Sequence, residues 1–376
     1  MELDEKRIQQ LVDRVVTRLG VEESPSPVAP AVAPAVAPAV VREIKAAPGA
    51  RGFPRGSAGV FPSIDAAVTA ARQAFENWRL QPLSLRHKAV QAMRDVTLRH
   101  VRELSEYAHV ETGLGRIEDK IRKNTLAAEK TPGPERLQPV AFTGDRGLTL
   151  IEWAPYGVIG SITPTTNPTE TIVNNGIGFV AAGNAAVFNV HPSARGVSAW
   201  HIHLLNEAIV GVGGPPNLLT TIAEPSIASA NEMMQHPGVR LLVVTGGPAV
   251  VNAAMQTNKK VIAAGPGNPP VVVDETADLR RAATGIFRGA SFDNNVICCD
   301  EKEVFAVAEI FDPLRRELKA AGAYELSSSQ ISRLTKQLFH DGHINKDFVG
   351  KNVSKIVDTI GLKLGDDVRL AFAVVD

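Results

Sequence analysis

The chain has 376 residues, with 40 Lys and Arg against 40 Asp and Glu, 44% apolar residues and 21% charged residues. That length permits two ordinary domains or one large α/β unit, and the composition excludes disorder throughout. A formal net charge of zero gives no global field for nucleic acid or an anionic membrane, and no apolar stretch is long enough to span a bilayer.

Residues 1–20 come first. Ile8, Leu11, Val12, Val15, Val16 and Leu19 fall on one stripe at helical spacing, with acids early and Arg14 and Arg18 late, as the helix dipole favours. The acids Glu2, Asp4 and Glu5 and the lack of a continuous apolar core speak against a secretory signal or a mitochondrial transit peptide. Residues 21–55 contain the run Val28 to Pro38, with proline at every fourth position, which blocks helix and reads as a semi-rigid spacer. A helix held off by such a spacer is expected to dock on a partner rather than on its own core.

The globular part starts near Phe61. Ser63 is placed to cap a helix with apolar positions Ile64, Ala67, Val68, Ala71, Phe75 and Trp78, and more helix follows through Val90, Met93 and Leu104. Candidate strands are Leu148–Trp153, Val158–Ile162, Ala185–Val190, Leu218–Ile222, Leu241–Val244, Val261–Ala263 and Val271–Val273. Helices such as Ser193–Ile209 and Ala249–Gln256 lie between most of them. This alternation predicts an α/β fold with a mainly parallel sheet covered on both faces and ligands at the C-terminal strand ends. The final run, Arg369–Asp376, reads as a strand without a flanking turn, so an incomplete catalytic part is expected.

Cys298 and Cys299 are the only cysteines and are adjacent, which excludes a disulfide framework and suits a reducing interior. Small and polar residues from Ser291 lead into them. An activated thiolate is a strong nucleophile, although a cysteine judged by composition alone is more often a core residue. Asn167, in Ser161 to Pro168, can donate its amide to an oxyanion or merely make the turn before a helix. Thr245-Gly246-Gly247 and Gly265-Pro266 follow strands and leave room for a ligand or for another backbone. His191 ends a strand, where it can reach a ribose or simply face solvent. The nine histidines show no metal spacing, and His201 and His203 sit two apart on a helix and face different directions.

Four stretches together resemble the acylating aldehyde dehydrogenases of bacterial microcompartments: Glu111 to Ile121, Ala154 to Thr171, Ala263 to Asp274 and Ser291 to Asn295. The resemblance runs from about Phe61 to the last residue, and the helix with its Pro/Ala spacer resembles an encapsulation peptide. It implies an aldehyde dehydrogenase fold, with a Rossmann-like cofactor domain over 56–268 and an α/β catalytic domain over 269–376. It implies Cys298 as nucleophile and Asn167 as oxyanion amide. Thr163, Pro164, Thr165, His191, Thr245, Gly246, Gly247, Gly265 and Pro266 would line a nicotinamide cofactor. Hydrolytic relatives keep a glutamate in the turn occupied here by Gly265-Pro266, and that glutamate activates water. Its absence suits transfer to coenzyme A, a thiol that needs less help from a base.

The implied reaction is oxidation of a short aldehyde, propionaldehyde first, with NAD and coenzyme A, inside a microcompartment in the cytoplasm. The implied partner is a shell protein met through residues 1–20, with no nucleic acid, membrane or metal, and a homo-oligomer as the default. A truncated body that only binds partners and a hydrolytic dehydrogenase are the competing expectations. Two features depart from the family pattern: around the nucleophile, Ile297 stands where a proline usually precedes it and Cys299 follows it directly, and in length, family catalytic chains are expected to continue past this ending.

Overall fold

The computed structural model describes residues 54–375. The expected helix in residues 1–20 and nearly all of the 21–55 spacer lie outside the described residues.

A short strand β1 (Val60–Phe61) leads into four helices, α1 (Ile64–Trp78), α2 (Leu83–Arg99), α3 (Val101–Thr112) and α4 (Ile117–Lys130). The Ser63 hydroxyl accepts a hydrogen bond from the Ala66 N–H at 3.3 Å and starts α1, as its sequence predicts. Ile64, Ala67, Val68, Ala71 and Trp78 are buried on one face, and Trp78 Nε1 donates to the Val180 carbonyl at 3.0 Å. Gly113, in the left-handed region at φ 68°, ends α3.

A hairpin follows, β2 (Val140–Gly144) and β3 (Gly147–Ile151), and then the α/β part proper. Its elements are β4 (Val158–Ile162), α5 (Pro168–Ala181), β5 (Ala185–Asn189), α6 (Arg195–Gly211), β6 (Leu219–Ile222), α7 (Ile227–Gln235), β7 (Val239–Thr245), α8 (Pro248–Met255) and β8 (Lys260–Ala264). The sheet order is β1-β6-β5-β4-β7-β8, with every pairing parallel. β4 and β5 are buried at every residue, which explains their unbroken apolar or small sequences. The chain builds outward from β4 in one direction as far as β6 and then returns to place β7 on the other side. The direction therefore reverses between β4 and β7, where a crevice opens at the C-terminal strand ends.

Beyond this sheet, β9 (Pro270–Val273), α9 (Leu279–Ala290), β10 (Glu303–Ala306) and α10 (Ala308–Ala320) form a second layer, with β9 and β10 paired in parallel. The last elements are β11 (Tyr324–Glu325), α11 (Ser328–Leu338), the hairpin β12 (Phe339–His340) and β13 (His343–Ile344), α12 (Val353–Asp358) and β14 (Ala371–Phe372). Apolar packing is divided in the same way: a large cluster from Ile64 to Ala254, a second around Val273, Ile286 and Leu314, and a third around Leu326, Leu334 and Val357.

Two expected strands lie outside the main sheet. The Leu148–Trp153 candidate is β3 of the separate antiparallel hairpin, whose ten residues are all exposed, with Phe142 and Leu148 among them. Its turn, Asp145-Arg146, lacks the Asn-Gly or Asp-Gly pair that announces a hairpin, so an apolar run reads as another sheet strand. Val271–Val273 is part of β9 and pairs only with β10. Within the final apolar run, Ala371–Phe372 is the stretch in strand conformation, and it pairs in parallel with β11.

Candidate active site

Loops leaving the C-terminal ends of β4, β5, β7 and β8 meet at one cavity of about 590 Å³. The first loop contributes Thr163, Pro164, Thr165 and Asn167, and the second contributes His191. The third gives Thr245, Gly246 and Gly247, and the fourth gives Gly265, Pro266 and Gly267. Cys298 closes the cavity from the segment between α9 and β10, and Lys302 stands beside it. Every residue that the resemblance assigns to the nucleophile, the amide or the cofactor lining thus lies in one cavity wall. Cys299 does not.

Cys298 and Cys299 are the two central residues of a turn closed by the Asp300 N–H on the Ile297 carbonyl at 3.2 Å, not part of an extended segment, and of the two only Cys298 lines the cavity. Both thiols are free. Partial desolvation, then Cys298 and Asp300, push the Cys299 thiol above its ordinary range. The Asp300 carboxyl is pushed up to about 6, chiefly by burial, and accepts the Ile297 N–H at 3.3 Å. Lys302 Nζ donates to the Ile297 and Asp300 carbonyls at 3.0 and 3.2 Å and holds the cysteine loop from below.

The turn before the cysteines has an unusual backbone. Asp293, Asn294 and Asn295 are successive left-handed residues with φ of 46°, 54° and 59°. Asp and Asn tolerate this region better than other residues with a Cβ, because their short side chains bond nearby groups. Asp293 Oδ1 accepts the Arg116 N–H at 2.6 Å. Asn294 takes Arg116 Nε at 2.8 Å and donates to Gly350 and Asn352. Asn295 donates to the Ala290 and Glu301 carbonyls at 2.8 and 3.0 Å. A turn with three bound side chains aims the following cysteine.

A buried ion cluster lies beneath this turn. Lys120 and Asp293 are fully buried and 3.2 Å apart. Lys123 Nζ is 2.5 Å from Asp293 Oδ2 and 3.5 Å from Glu170 Oε1, and it donates to Asn167 Oδ1 at 2.7 Å. Asp119, also buried, accepts the Asp293 N–H at 3.0 Å and pairs with Arg369. Burial, then Lys123, lower the pKa of Lys120. Burial pulls Lys123 down as well, but Glu170 and Asp293 more than reverse it, so that its ammonium is favoured. Sequence reading missed Lys123, Asp293, Lys302 and Gly267. For Lys123 the signal is spatial, because it lies on α4, 44 residues from the Asn167 it meets.

Asn167 occupies the N-cap position of α5, but its side chain makes no cap bond. Its Oδ1 takes Lys123, and its Nδ2 donates to Thr166 Oγ1 at 3.1 Å, leaving a second N–H proton for a ligand.

The cavity suits a dinucleotide. Thr163 Oγ1 and Thr165 Oγ1 are buried without a protein partner, as groups awaiting a ligand would be. A Cβ at Gly247 or Gly265 would stand in open space, so a ligand can approach the bare backbone closely. Partial burial and Lys346 keep His191 below its ordinary pKa, and its Nδ1 accepts the Ser193 N–H at 3.1 Å. The neutral ring therefore carries its proton on Nε2, ready to donate to a hydroxyl.

Gly267 has a different task. A Cβ there would strike the Cys298 carbonyl oxygen. Gly267→Ala is accordingly expected to push the cysteine loop outward, at a cost of about 1–3 kcal/mol of overpacking, and to lower turnover at least tenfold. Iodoacetamide labelling of Cys298 and the unfolding midpoint check this; unchanged labelling and midpoint would mean that the two loops yield freely.

Among the described residues, no group of three or more His, Cys, Asp or Glu side chains is placed to hold a metal ion. None of the described helices is long and apolar enough to cross a membrane.

A cysteine, a carboxamide and bare glycines thus share one cleft at the C-terminal ends of a parallel sheet. The aldehyde dehydrogenase family profile matches residues 57–329. The chain belongs to the aldehyde dehydrogenase family. It is 50% identical over 321 residues to the acetaldehyde dehydrogenase (acetylating) EutE of Salmonella typhimurium, covering 84% of this chain and 68% of that one. The structure of a Rhodopseudomonas palustris propionaldehyde dehydrogenase with bound propionyl-CoA superposes with a TM-score of 0.83 at 48% identity, over 85% of this chain and 72% of the other. A propionaldehyde dehydrogenase from the fucose utilisation microcompartment of Clostridium phytofermentans gives a TM-score of 0.82 at 42% identity, over 84% and 73%. This aldehyde dehydrogenase thus sits among acylating relatives, and it has the fold expected from its sequence.

Proposed function

We propose that this aldehyde dehydrogenase oxidises a short-chain aldehyde, propionaldehyde in first place, to acyl-CoA with NAD and coenzyme A. One observation carries the acylating reading: among the described residues no carboxylate lines the cavity that holds Cys298 and Asn167, and the turn through Gly265, Pro266 and Gly267 has no side chain that could activate water. An acyl-enzyme formed there awaits a thiol.

Cys298 thiolate adds to the aldehyde carbon, and the resulting oxyanion is held by Asn167 Nδ2 and the Cys298 N–H. Bound nicotinamide supplies the acceptor for the hydride leaving that carbon. The carbonyl re-forms as a thioester on Cys298. Coenzyme A thiolate then attacks, the same donors hold the second oxyanion, and Cys298 leaves as thiolate. Thr163, Pro164, Thr165, His191, Thr245, Gly246, Gly247, Gly265 and Pro266 would hold the dinucleotide, and His191 Nε2 would be free to donate to a hydroxyl of it. On this reading 56–268 is the cofactor-binding part and 269–376 the catalytic part.

The amphipathic pattern of residues 1–20 and the microcompartment origin of a structural relative support a place in a microcompartment lumen, with a shell protein as partner. The 50% identical acetylating relative makes acetaldehyde the second substrate to compare.

The test is NADH absorbance with protein, aldehyde and NAD, with and without coenzyme A. Sustained growth is expected only with coenzyme A, and kcat/KM for the two aldehydes ranks them. Sustained growth without coenzyme A would replace this reading with a hydrolytic one, and no growth in either case would reject the dehydrogenase reading for this chain.

A further inference from the structure

We propose that Lys123 is a positioning residue for the oxyanion amide, fixing by one hydrogen bond which end of Asn167 faces the reacting carbonyl. This rests on the oxyanion role proposed for Asn167.

A carboxamide has two ends of nearly equal size, and either can be turned toward a substrate. Only the Nδ2 end stabilises an oxyanion; the Oδ1 end repels it. An ammonium has protons and no lone pair, so the end it meets must be the oxygen. Lys123 Nζ meets Asn167 Oδ1 at 2.7 Å. The side chain is only 5% exposed, so water does not compete well for either partner. Drawing density from Oδ1 also sharpens the Nδ2 protons, one of which remains after the bond to Thr166 Oγ1.

The charges of the cluster balance: Asp293 has Lys120 at 3.2 Å, and Lys123 also faces Glu170 at 3.5 Å. Charge balance requires an ammonium near Glu170, but it does not require one bonded to a neutral amide. Lys123 differs from Lys120 in its acceptors. It joins Asp293, in the turn that aims Cys298, to Asn167, in the loop after β4. One cation thereby sets the relation between the cysteine turn and the amide that serves it. α4 contributes this residue without lining the cavity itself.

The experiment is a double-mutant cycle on acylation by p-nitrophenyl propionate, which needs neither NAD nor coenzyme A. Cys298 thiolate attacks the ester carbonyl, p-nitrophenolate leaves, and the thioester remains; the burst of p-nitrophenolate gives the rate. Loss of an oxyanion donor costs on the order of 10²–10³ in rate, so Asn167→Ala is expected in that range. Lys123→Met is expected to lower the burst rate about tenfold or more in the native background, and less than about twofold when Asn167→Ala is already present. Alkylation of Cys298 by iodoacetamide, which forms no oxyanion, is expected to stay within about threefold in all variants.

Equal losses in both backgrounds would overturn the proposal, as would alkylation falling in step with acylation, because Lys123 would then act on the thiol or the fold. If Lys123→Met loses its cooperative unfolding transition, Lys123→Arg carries the same cycle with the charge retained. A wild-type burst without coenzyme A-dependent NADH would sink the dehydrogenase reading and leave this one standing. Coenzyme A-dependent NADH with an additive cycle would do the reverse, and no wild-type burst removes the acylation step on which Lys123 is proposed to act.

Discussion

Cys298→Ala is expected to abolish coenzyme A-dependent NADH formation, by about 10⁴-fold or more, with the fold intact; loss of a covalent nucleophile has effects of that order. Cys299→Ala is expected to keep activity within about threefold. The two residues differ by one position in the chain, yet only Cys298 reaches the cavity. Cys299 is further disfavoured because its thiol is pushed up, so less of it is thiolate at neutral pH. Steady-state NADH assays on both variants, with mass-spectrometric mapping of the trapped acyl group, check this. An acyl group on Cys299, or full activity in Cys298→Ala, would reverse the assignment.

The second large effect is on stability. Asp293→Ala leaves Lys120 buried without its counter-charge, removes the acceptor for the Arg116 N–H, and asks alanine to hold φ near 46°. Breaking a buried pair by removing one partner costs about 3–5 kcal/mol, and a left-handed residue with a Cβ adds roughly 1–2 kcal/mol. Urea unfolding of the full chain is expected to show a loss in that range. The Asp293→Asn variant, which keeps the turn chemistry and loses only the charge, is expected to lose less. Equal losses in the two would assign the whole effect to charge, and no loss in either would mean that water enters the cluster and solvates Lys120.

Much of the frame was legible along the chain. Helical spacing placed α1 and its Ser63 cap, and buried apolar runs marked β4 and β5 in the centre of a parallel sheet. Loops rich in glycine, threonine and proline after β4, β7 and β8 pointed to ligand contacts, because a strand end that must admit a ligand discards bulky side chains. The adjacent cysteines drew attention to 298 and 299. The resemblance supplied the choice between them.

Other features could not be read that way. The β2–β3 hairpin carries an apolar run that stays exposed, and periodicity assigns such a run to a core. Asn167 looked as much like a helix cap as an oxyanion donor, because Asn-Pro suits both. In the structure it stands at the N-cap position without a side-chain cap bond, and its Oδ1 meets Lys123 on α4. In the same way, Gly267 matters because the Cys298 carbonyl lies against it, and Asp293 because two lysines converge on it. Local sequence determined the elements, the cap and the kinds of residue that a site needs, since propensity and burial act over a few residues. Tertiary structure decided which cysteine meets the cavity, which end of an amide is fixed and which charges are paired. Each of these depends on atoms brought together from positions far apart in the chain.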